Sequence, residues 1–289
     1  MKHSIRAALV VILLVSFAAG LILAAEPIPF SLKRGIPEIE VIINDSIKAS
    51  FVIDTGADHI YIDKTFAEKH GLLSGHMQPM RPTRGSIGST EAKLFSVESL
   101  KFGDIFLSDL SIVAIDLVSQ IKDTSKGYPD GVLGYSFLKN YQLSFDNYPR
   151  VWLSKDSIGY KNSIAMLYDS VSFELQRHFI VVDVRINGTT DAKFILDTGS
   201  SYSIFSPELA IKLGYLDSSM AIIAESISLD DVAWRDSVVV LVRDISDVSE
   251  AIKNPLIEGI LGTSFLKGHS FIIDYSRRNL DFVIIRSIR

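Results

Sequence analysis

The sequence predicts a mainly β protein with short helices, built from two related lobes in one chain. Two near-identical segments recur 143 residues apart, "FVIDTGADHI" from Phe51 and "FILDTGSSYS" from Phe194. A second pair, "GVLGYSFLK" from Gly131 and "GILGTSFLK" from Gly259, is identical at seven of nine positions. Between these segments, β-rich runs and turn dipeptides dominate. The long spacing indicates a duplicated unit that forms two lobes rather than an array of short repeats.

Each copy predicts the same local structure around its Asp-Thr-Gly. The runs "EVIIND" and "VDVRING" end in dipeptides that favour tight hairpins, and the return strands "SFVI" and "KFIL" lead into the aspartates. Asp63 and Ser206 are expected to cap short helices, with Pro207 at the first helical position of the second copy. The ends "YQLSFD" and "SFIIDY" are predicted strands. We therefore expect lobes at residues 34–155 and 177–286, joined by a linker at 156–176.

Composition excludes several classes of function. The chain has 289 residues, is 47% hydrophobic and carries a formal net charge of −5, so a folded protein with real cores is expected. Lysine and arginine are scattered, which argues against nucleic acid as a partner. No cysteine is present, so a disulfide, a thiolate metal site and a cysteine nucleophile are excluded. The six histidines show no paired spacing typical of metal sites, and no metal or cofactor is expected.

The first 25 residues form a separate unit. Lys2, His3 and Arg6 precede an apolar run from Ala7 to Ala25. A basic start followed by such a run predicts a signal peptide or an N-terminal membrane anchor, and cleaved and uncleaved forms both fit. We expect the rest of the chain to be exported, periplasmic or extracellular, with membrane attachment through residues 7–25 if the segment is retained.

Asp-Thr-Gly after an apolar strand, followed later by an apolar pair and glycine (Val132-Leu133-Gly134), resembles the aspartic proteases of the retropepsin and pepsin type. The resemblance covers both copies. It implies the acid-protease fold, with the active site between the lobes and Asp54 facing Asp197. It also implies that threonines hydrogen-bond across to the opposite turn and that glycine amides support the carboxylates. These supporting residues are Thr55, Gly56, Thr198 and Gly199.

Two carboxylates in one site explain the chemistry that the resemblance implies. Carboxylates about 3 Å apart cannot both ionise easily, so they share a proton and titrate as a pair. Asp54 and Asp197 are thus expected to act jointly as general base and general acid on a bound water. One difference between the turns is Ser200 where the first has Ala57. We expect the Ser200 hydroxyl to donate to Asp197, which would place the shared proton on Asp54.

The first copy carries an insertion. It has 25 residues from Leu72 to Ser96, where the second has nine from Tyr215 to Ile223. This length suits a hairpin that covers a cleft, and an idle surface insertion is the alternative. We predict a single flap. Its tip would comprise Arg84, Gly85, Ser86, Ile87 and Gly88.

The sequence therefore favours an aspartic endopeptidase that hydrolyses an extended polypeptide. Tyr135 and Thr263 stand where viral members have arginine, so their dimer-specific contacts should be absent and a monomer is expected. A catalytically silent peptide-binding module on the same scaffold is the alternative. A membrane-tethered structural protein is a third, weaker option.

Overall fold

A computed structural model describes residues 27–74, 77–80, 84–85, 88–89, 91–118, 127–146, 150–154, 168–215 and 220–283. The predicted signal peptide or anchor lies outside the described residues. Within these ranges, no helix is both long and apolar enough to cross a bilayer. The described chain forms two barrel-like β lobes with short helices, as predicted for a two-lobed acid protease.

The first lobe is organised around an eight-stranded sheet. The first half of the chain contains these strands: β1 (Ile28–Pro29), β2 (Ser31–Lys33), β3 (Ile36–Ile43), β4 (Ile47–Ile53), β5 (Ile60–Asp63), β6 (Gln78–Met80), β7 (Arg84–Gly85), β8 (Gly88–Ser89), β9 (Ala92–Phe102), β10 (Ile105–Ile115), β11 (Gly131–Leu133), β12 (Gln142–Phe145) and β13 (Arg150–Ser154). Helix α1 (Lys64–Lys69), a 3-10 turn (Leu72–Ser74) and helix α2 (Tyr135–Leu138) connect them. The sheet order is β2-β3-β4-β11-β5-β10-β9-β6.

The second lobe repeats this plan in a seven-stranded sheet. Its half of the chain contains these strands: β14 (Tyr168–Ser172), β15 (Glu174–Gln176), β16 (Phe179–Ile186), β17 (Thr190–Leu196), β18 (Ser203–Phe205), β19 (Ala221–Leu229), β20 (Ala233–Val242), β21 (Ile257–Leu261), β22 (Phe271–Asp274) and β23 (Asn279–Val283). The helices are α3 (Pro207–Lys212), α4 (Ser246–Ile252) and α5 (Thr263–Leu266). The sheet order is β15-β16-β17-β21-β18-β20-β19.

A third, six-stranded sheet joins the two halves in the order β1-β13-β12-β22-β23-β14. Its centre pairs β12 with β22, antiparallel, with Gln142 opposite Asp274. The predicted closing strands therefore exist, but they lie in this shared sheet rather than in the separate lobe sheets. Of the predicted linker, residues 156–167 lie outside the described ranges. Its remainder forms β14, in the shared sheet, and β15, in the sheet of the second lobe.

The hairpins that lead to the aspartates form as the turn dipeptides predict. Asn44 and Asp45 both have positive φ angles, 46° and 60°, between β3 and β4. Asn187 and Gly188, with φ of 50° and 69°, serve the same purpose between β16 and β17. Asparagine, aspartate and glycine tolerate this left-handed region better than other residues do. The turns thereby set the register that directs each return strand towards its Asp-Thr-Gly.

The predicted helix caps are also confirmed. The Asp63 carboxylate accepts the backbone N–H of Phe66 at 2.9 Å, and the Ser206 hydroxyl accepts that of Leu209 at 3.1 Å. Each bond satisfies one backbone donor that the first helical turn leaves unpaired. Pro207 occupies the start of α3, as predicted.

Each lobe packs a buried phenylalanine against the first glycine of its "GVLG" or "GILG" segment. Phe51 and Phe194 are fully buried. A Cβ atom on Gly131 would lie 2.4 Å from the Phe51 ring, and one on Gly259 would lie 2.4 Å from the Phe194 ring. Such contacts are far closer than carbon atoms tolerate. These glycines thus let β11 and β21 lie close beside the strands that carry the aspartates.

Candidate active site

Asp54 and Asp197 lie at equivalent positions, each directly after a central strand of its lobe. The Asp54 N–H donates to the Leu133 carbonyl at 3.1 Å, and the Asp197 N–H donates to the Leu261 carbonyl at 3.0 Å. β11 runs parallel to β4, and β21 runs parallel to β17. Each aspartate is therefore fixed where two parallel strands end side by side. We call residues 54–59 the first turn and residues 197–202 the second turn.

The repeated glycine-containing segments brace both turns from behind. The Tyr135 N–H donates to the Ala57 carbonyl at 2.8 Å, and the Thr263 N–H donates to the Ser200 carbonyl at 2.8 Å. A Cβ atom on Gly134 would lie 2.7 Å from the Ala57 carbonyl oxygen, so the backbone can approach only at a glycine. The segments therefore hold the turns in place through their backbone.

Thr55 and Thr198 tie the two turns together through buried, reciprocal hydrogen bonds. The Thr55 hydroxyl donates to the Leu196 carbonyl at 2.8 Å and accepts the Thr198 N–H at 3.1 Å. The Thr198 hydroxyl donates to the Ile53 carbonyl at 2.7 Å and accepts the Thr55 N–H at 3.1 Å. Four hydrogen bonds thus cross between the lobes at one point. Because they are buried, breaking one would leave polar groups unsatisfied away from water.

Gly56 and Gly199 each donate a hydrogen bond to the carboxylate of their own turn. Each also leaves room for the carboxylate of the opposite turn. The Gly56 N–H donates to Asp54 at 2.7 Å, and the Gly199 N–H donates to Asp197 at 2.8 Å. A Cβ atom on Gly199 would lie 2.4 Å from the Asp54 carboxyl carbon, and one on Gly56 would lie 2.9 Å from that of Asp197. Neither glycine has a positive φ. Glycine is therefore required by the close approach of the opposite carboxyl group, and the turn conformation does not demand it.

The carboxyl groups of Asp54 and Asp197 lie within hydrogen-bonding range of each other. Burial raises the pKa of Asp54 above its usual value. Burial, and then the charge of Asp54, raise the pKa of Asp197 well above its usual value. Two buried carboxylates this close cannot both be ionised without a large electrostatic penalty. The pair therefore retains one proton over a range of pH in which isolated aspartates are ionised.

The expected role of Ser200 is wrong. Its hydroxyl donates to the Tyr202 carbonyl at 2.8 Å, two residues along the chain, and so is not directed at Asp197. Serine hydroxyls often form such local bonds in turns. Backbone hydrogen bonds lower the pKa of both aspartates in the same way, from Ala57 to Asp54 and from Ser200 to Asp197. Ser200 thus supports Asp197 through its backbone, and its side chain gives no reason to place the shared proton on Asp54.

At the edges of the turns, the structure brings in residues that the sequence patterns did not single out. The Ser201 hydroxyl donates to the Arg34 carbonyl, and the Thr263 hydroxyl donates to the Gly35 carbonyl at 2.6 Å. On the other side, the His178 imidazole lies close to the backbone of Gly56. Burial lowers the pKa of His178, which favours its neutral form.

A signal for these contacts was present in the sequence. The same offset of 143 that pairs the aspartates also pairs Arg34-Gly35 with Arg177-His178. Each lobe therefore sends the start of its first long strand to the turn of the other lobe. Extending the alignment of the copies towards their N-terminal ends would have identified both segments.

The insertion in the first lobe forms a hairpin that reaches the second lobe. β7 and β8 pair antiparallel, Arg84 with Ser89 and Gly85 with Gly88. Cα atoms of β7 lie within 8 Å of Cα atoms of α4, in the second lobe. Nearer the body, β6 pairs with β9. Ser86 and Ile87, the predicted tip residues between β7 and β8, lie outside the described residues.

In the described part of the chain, no group of three or more histidine, aspartate or glutamate side chains is arranged to hold a metal ion. In the comparison with known families, residues 39–137 and 182–224 match the aspartyl protease family. The matched ranges include both turns and the segment from Gly131 to Phe137. No curated protein matches the chain. The family match supports a hydrolase of the aspartyl protease kind, and the two-lobed fold agrees with it.

Proposed function

We propose that this chain is an aspartic endopeptidase of the retropepsin and pepsin type, with Asp54 and Asp197 as its catalytic pair. The observation that carries the proposal is the pairing of two buried carboxyl groups, each supplied by one lobe and each packed against the opposite glycine. A buried pair with raised pKa values is costly to maintain, and such pairs are characteristic of acid–base sites. The matching turns also support the inference that the lobes arose by duplication.

The pair supplies both proton transfers that peptide hydrolysis needs. The ionised carboxylate accepts a proton from water as the water oxygen attacks the peptide carbonyl carbon. The protonated carboxyl donates its proton to the carbonyl oxygen, which gives a tetrahedral diol. The peptide nitrogen then receives a proton from one carboxyl, the C–N bond breaks, and a hydroxyl proton of the diol returns to the other. Water has been added across the bond, and the pair again holds one proton.

The substrate is an extended polypeptide held between the lobes and covered by the β7–β8 hairpin. The position of β7 beside α4 supports this role, because a hairpin of the first lobe that reaches the second must pass over the space between them. An extended peptide can pair with exposed strand edges, which makes binding largely independent of its sequence. A lid of this kind excludes water and positions the substrate.

The flap proposal predicts a separation between activity and stability. Replacing residues 84–89 with a short Gly-Ser turn should lower kcat/KM at least about tenfold, because positioning is lost, and should shift the melting temperature by only about 2 °C. An equal replacement of the hairpin turn at residues 187–189 serves as the control, since it should affect stability alone. Unchanged kcat/KM after the first replacement would reduce the hairpin to an idle insertion.

Export is part of the proposal and rests on the apolar run at residues 7–25. A fusion to alkaline phosphatase, which folds only after export, should be active with residues 1–30 in front and inactive without them. Equal activity of the two fusions would contradict it. The size of the mature protein would then show whether the segment is cleaved.

The decisive experiment compares the purified chain with Asp54→Asn on a diverse peptide library between about pH 3 and pH 7. We expect cleavage by the parent, none by the variant, and inhibition by a statine-type compound whose hydroxyl replaces the attacking water. Library peptides that bind to both proteins and are cleaved by neither would instead support the silent peptide-binding module. Equal cleavage by both proteins would exclude the two-aspartate mechanism.

A further inference from the structure

A large groove lies beside the second turn, outside the two-aspartate site. Its volume is about 1380 Å³. One wall is formed by β2 and the residues that follow it, and the opposite wall by β20 and the end of α5. Leu32, Tyr202 and Val239 contribute exposed apolar surface to it. Nothing in the proposed hydrolysis uses this groove.

The groove is continuous with the second turn. Thr198, Ser201 and Tyr202 line it, and all three lie within five residues of Asp197 along the chain. The Ser201 hydroxyl also holds the Arg34 carbonyl, so the turn and the segment after β2 meet at the groove's inner end. The groove therefore borders the turn that carries Asp197, although neither aspartate lines it.

One wall offers a strand edge. β2 is the outermost strand of the eight-stranded sheet, and Ser31, Leu32 and Lys33 are all exposed. Among the described residues it pairs only with β3. A strand with an unpaired edge is a template for an added strand, and the exposed Leu32 provides a contact for an apolar side chain. This favours an extended peptide as the occupant over a compact ligand.

The charges of the groove are mainly positive, although the chain as a whole is acidic. Arg235 and Lys267 line the groove, and neither forms an ion pair within the described ranges. Arg34 is neutralised by Glu38, at 2.5 Å. Burial lowers the pKa of His269, so its imidazole is neutral near pH 7. The acidic side chain of the lining is Asp146, which accepts a hydrogen bond from Ser270.

We propose that the groove binds an acidic, extended segment of the polypeptide substrate, several residues away from the scissile bond. This deepens the proposed function and rests on it, because the occupant is part of the same substrate and the groove borders the turn that carries Asp197. Carboxylate side chains would face Arg235 and Lys267, while alternate apolar side chains would contact Leu32, Tyr202 and Val239. The groove would thereby favour acidic substrates, whereas the cleft itself contacts mainly the peptide backbone.

Binding can be measured without cleavage. The probe is a fluorescein-labelled peptide of alternating Glu and Val, about eight residues long, with a Lys–Val peptide as its charge-reversed partner. By fluorescence anisotropy, Arg235→Gln/Lys267→Gln should bind the Glu–Val peptide about fivefold more weakly than the parent, as expected for two exposed ionic contacts. Arg235→Lys/Lys267→Arg should bind as the parent does, because it keeps both charges.

Lys69→Gln/Lys101→Gln is the matched control, since it removes two exposed positive charges from the first lobe. It should change affinity less than twofold. Equal affinity of the parent for the Glu–Val and Lys–Val peptides would overturn the proposal. So would equal weakening of Glu–Val binding in Arg235→Gln/Lys267→Gln and Lys69→Gln/Lys101→Gln. Asp54→Asn should leave this binding unchanged. Loss of cleavage with retained binding would therefore reflect the Asp54–Asp197 pair. Loss of binding with retained cleavage would reflect the groove.

Discussion

The first and second turns share their centre and differ at their edges. Asp, Thr and Gly occur in both, with four reciprocal threonine hydrogen bonds and two glycine–carboxylate contacts. Four residues after each aspartate, however, the first turn has Asp58 and the second has Ser201. Asp58 accepts from the Tyr61 hydroxyl, whereas Ser201 donates to the Arg34 backbone. The insertion and its hairpin belong to the first lobe.

The difference shows where symmetry is required. At the centre, each Asp, Thr and Gly of one turn contacts a central residue of the other turn, so a change on one side alone would disrupt both. At the edges, each turn faces its own end of the cleft and can diverge without harming the pair. A peptide is also directional, so its two ends need different surroundings. Substitutions in the two turns and at the two ends of the shared strand pair can show how far the equivalence of the halves extends.

The largest loss of activity should come from substitution of the two aspartates, and the two substitutions should have equal effects. Asp54→Asn and Asp197→Asn should each lower kcat/KM by at least about 10³-fold, since each removes half of one acid–base unit. The double variant should be no worse than either single one. Neither change should lower the melting temperature, because each relieves the penalty of burying two carboxyl groups. A variant that keeps a tenth of parental activity would show that one aspartate is not in the pair.

The glycines should give the next largest effect. Gly199→Ala places a Cβ atom 2.4 Å from the Asp54 carboxyl carbon, and Gly56→Ala places one 2.9 Å from that of Asp197. We expect roughly 10²-fold lower kcat/KM for each, with the greater loss for Gly199→Ala, because displaced carboxyl groups cannot share a proton. Gly188→Ala is the control: it strains a left-handed turn residue far from the pair, so it should lower stability without changing kcat/KM. An equal loss in Gly188→Ala would attribute the effect to stability.

The sequence predicted the centre of the site better than its surroundings. Repetition made Asp54 and Asp197 conspicuous, and turn dipeptides, caps and β-rich runs predicted the hairpins and helices that position them. These features are local, so a short stretch of sequence carries each of them. The shared six-stranded sheet was not predicted, because pairing of β12 with β22 joins residues about 130 positions apart, and neither strand indicates its partner.

The direction of the Ser200 side chain could not be predicted either. A hydroxyl beside a carboxylate can donate to it or to a nearby carbonyl, and the turn conformation decides between them. In the second turn the Tyr202 carbonyl lies within reach at 2.8 Å. The basic groove was missed for a similar reason, because Arg235 and Lys267 are separated by 32 positions and are brought together only by the fold.

Substitution of Thr55 and substitution of Thr198 should lower stability by equal amounts. Thr55→Val and Thr198→Val each remove a buried hydroxyl that bridges the lobes, leaving a carbonyl and an N–H unsatisfied. Each should lower the free energy of unfolding by about 2–4 kcal/mol. Thr55→Ser and Thr198→Ser keep the hydroxyl and should lose much less. Chemical denaturation would measure both pairs, and a difference of more than about 1 kcal/mol between the two valine variants would show that the bridge is not reciprocal in energy.

The smallest effect concerns the shared sheet, where two matching hydrogen bonds join the halves. Gln142 donates to Asp274 at 3.1 Å, and Ser270 donates to Asp146 at 3.3 Å. Burial alone would raise the pKa of Asp274, but hydrogen bonds from Ser276 and Arg277 lower it to about 2. The folded pKa lies below its ordinary value. The ionised group therefore stabilises the fold above about pH 4, and this contribution is lost as the pH falls towards 2.

Asp274→Asn should accordingly lower the free energy of unfolding by about 1–2 kcal/mol at pH 6, because it breaks a pair in which Arg277 is partly exposed. The deficit should shrink as the pH falls towards about 2, since the parent then loses the same interaction. Asp146→Asn is the matched variant at the other end of the strand pair, where a serine hydroxyl donates to the carboxylate, and it should cost less at pH 6 because Asp146 is less buried than Asp274. Urea denaturation at several pH values measures both. A deficit for Asp274→Asn that stays constant from pH 6 to pH 2 would mean that packing, rather than charge, makes this end of the sheet the stronger one.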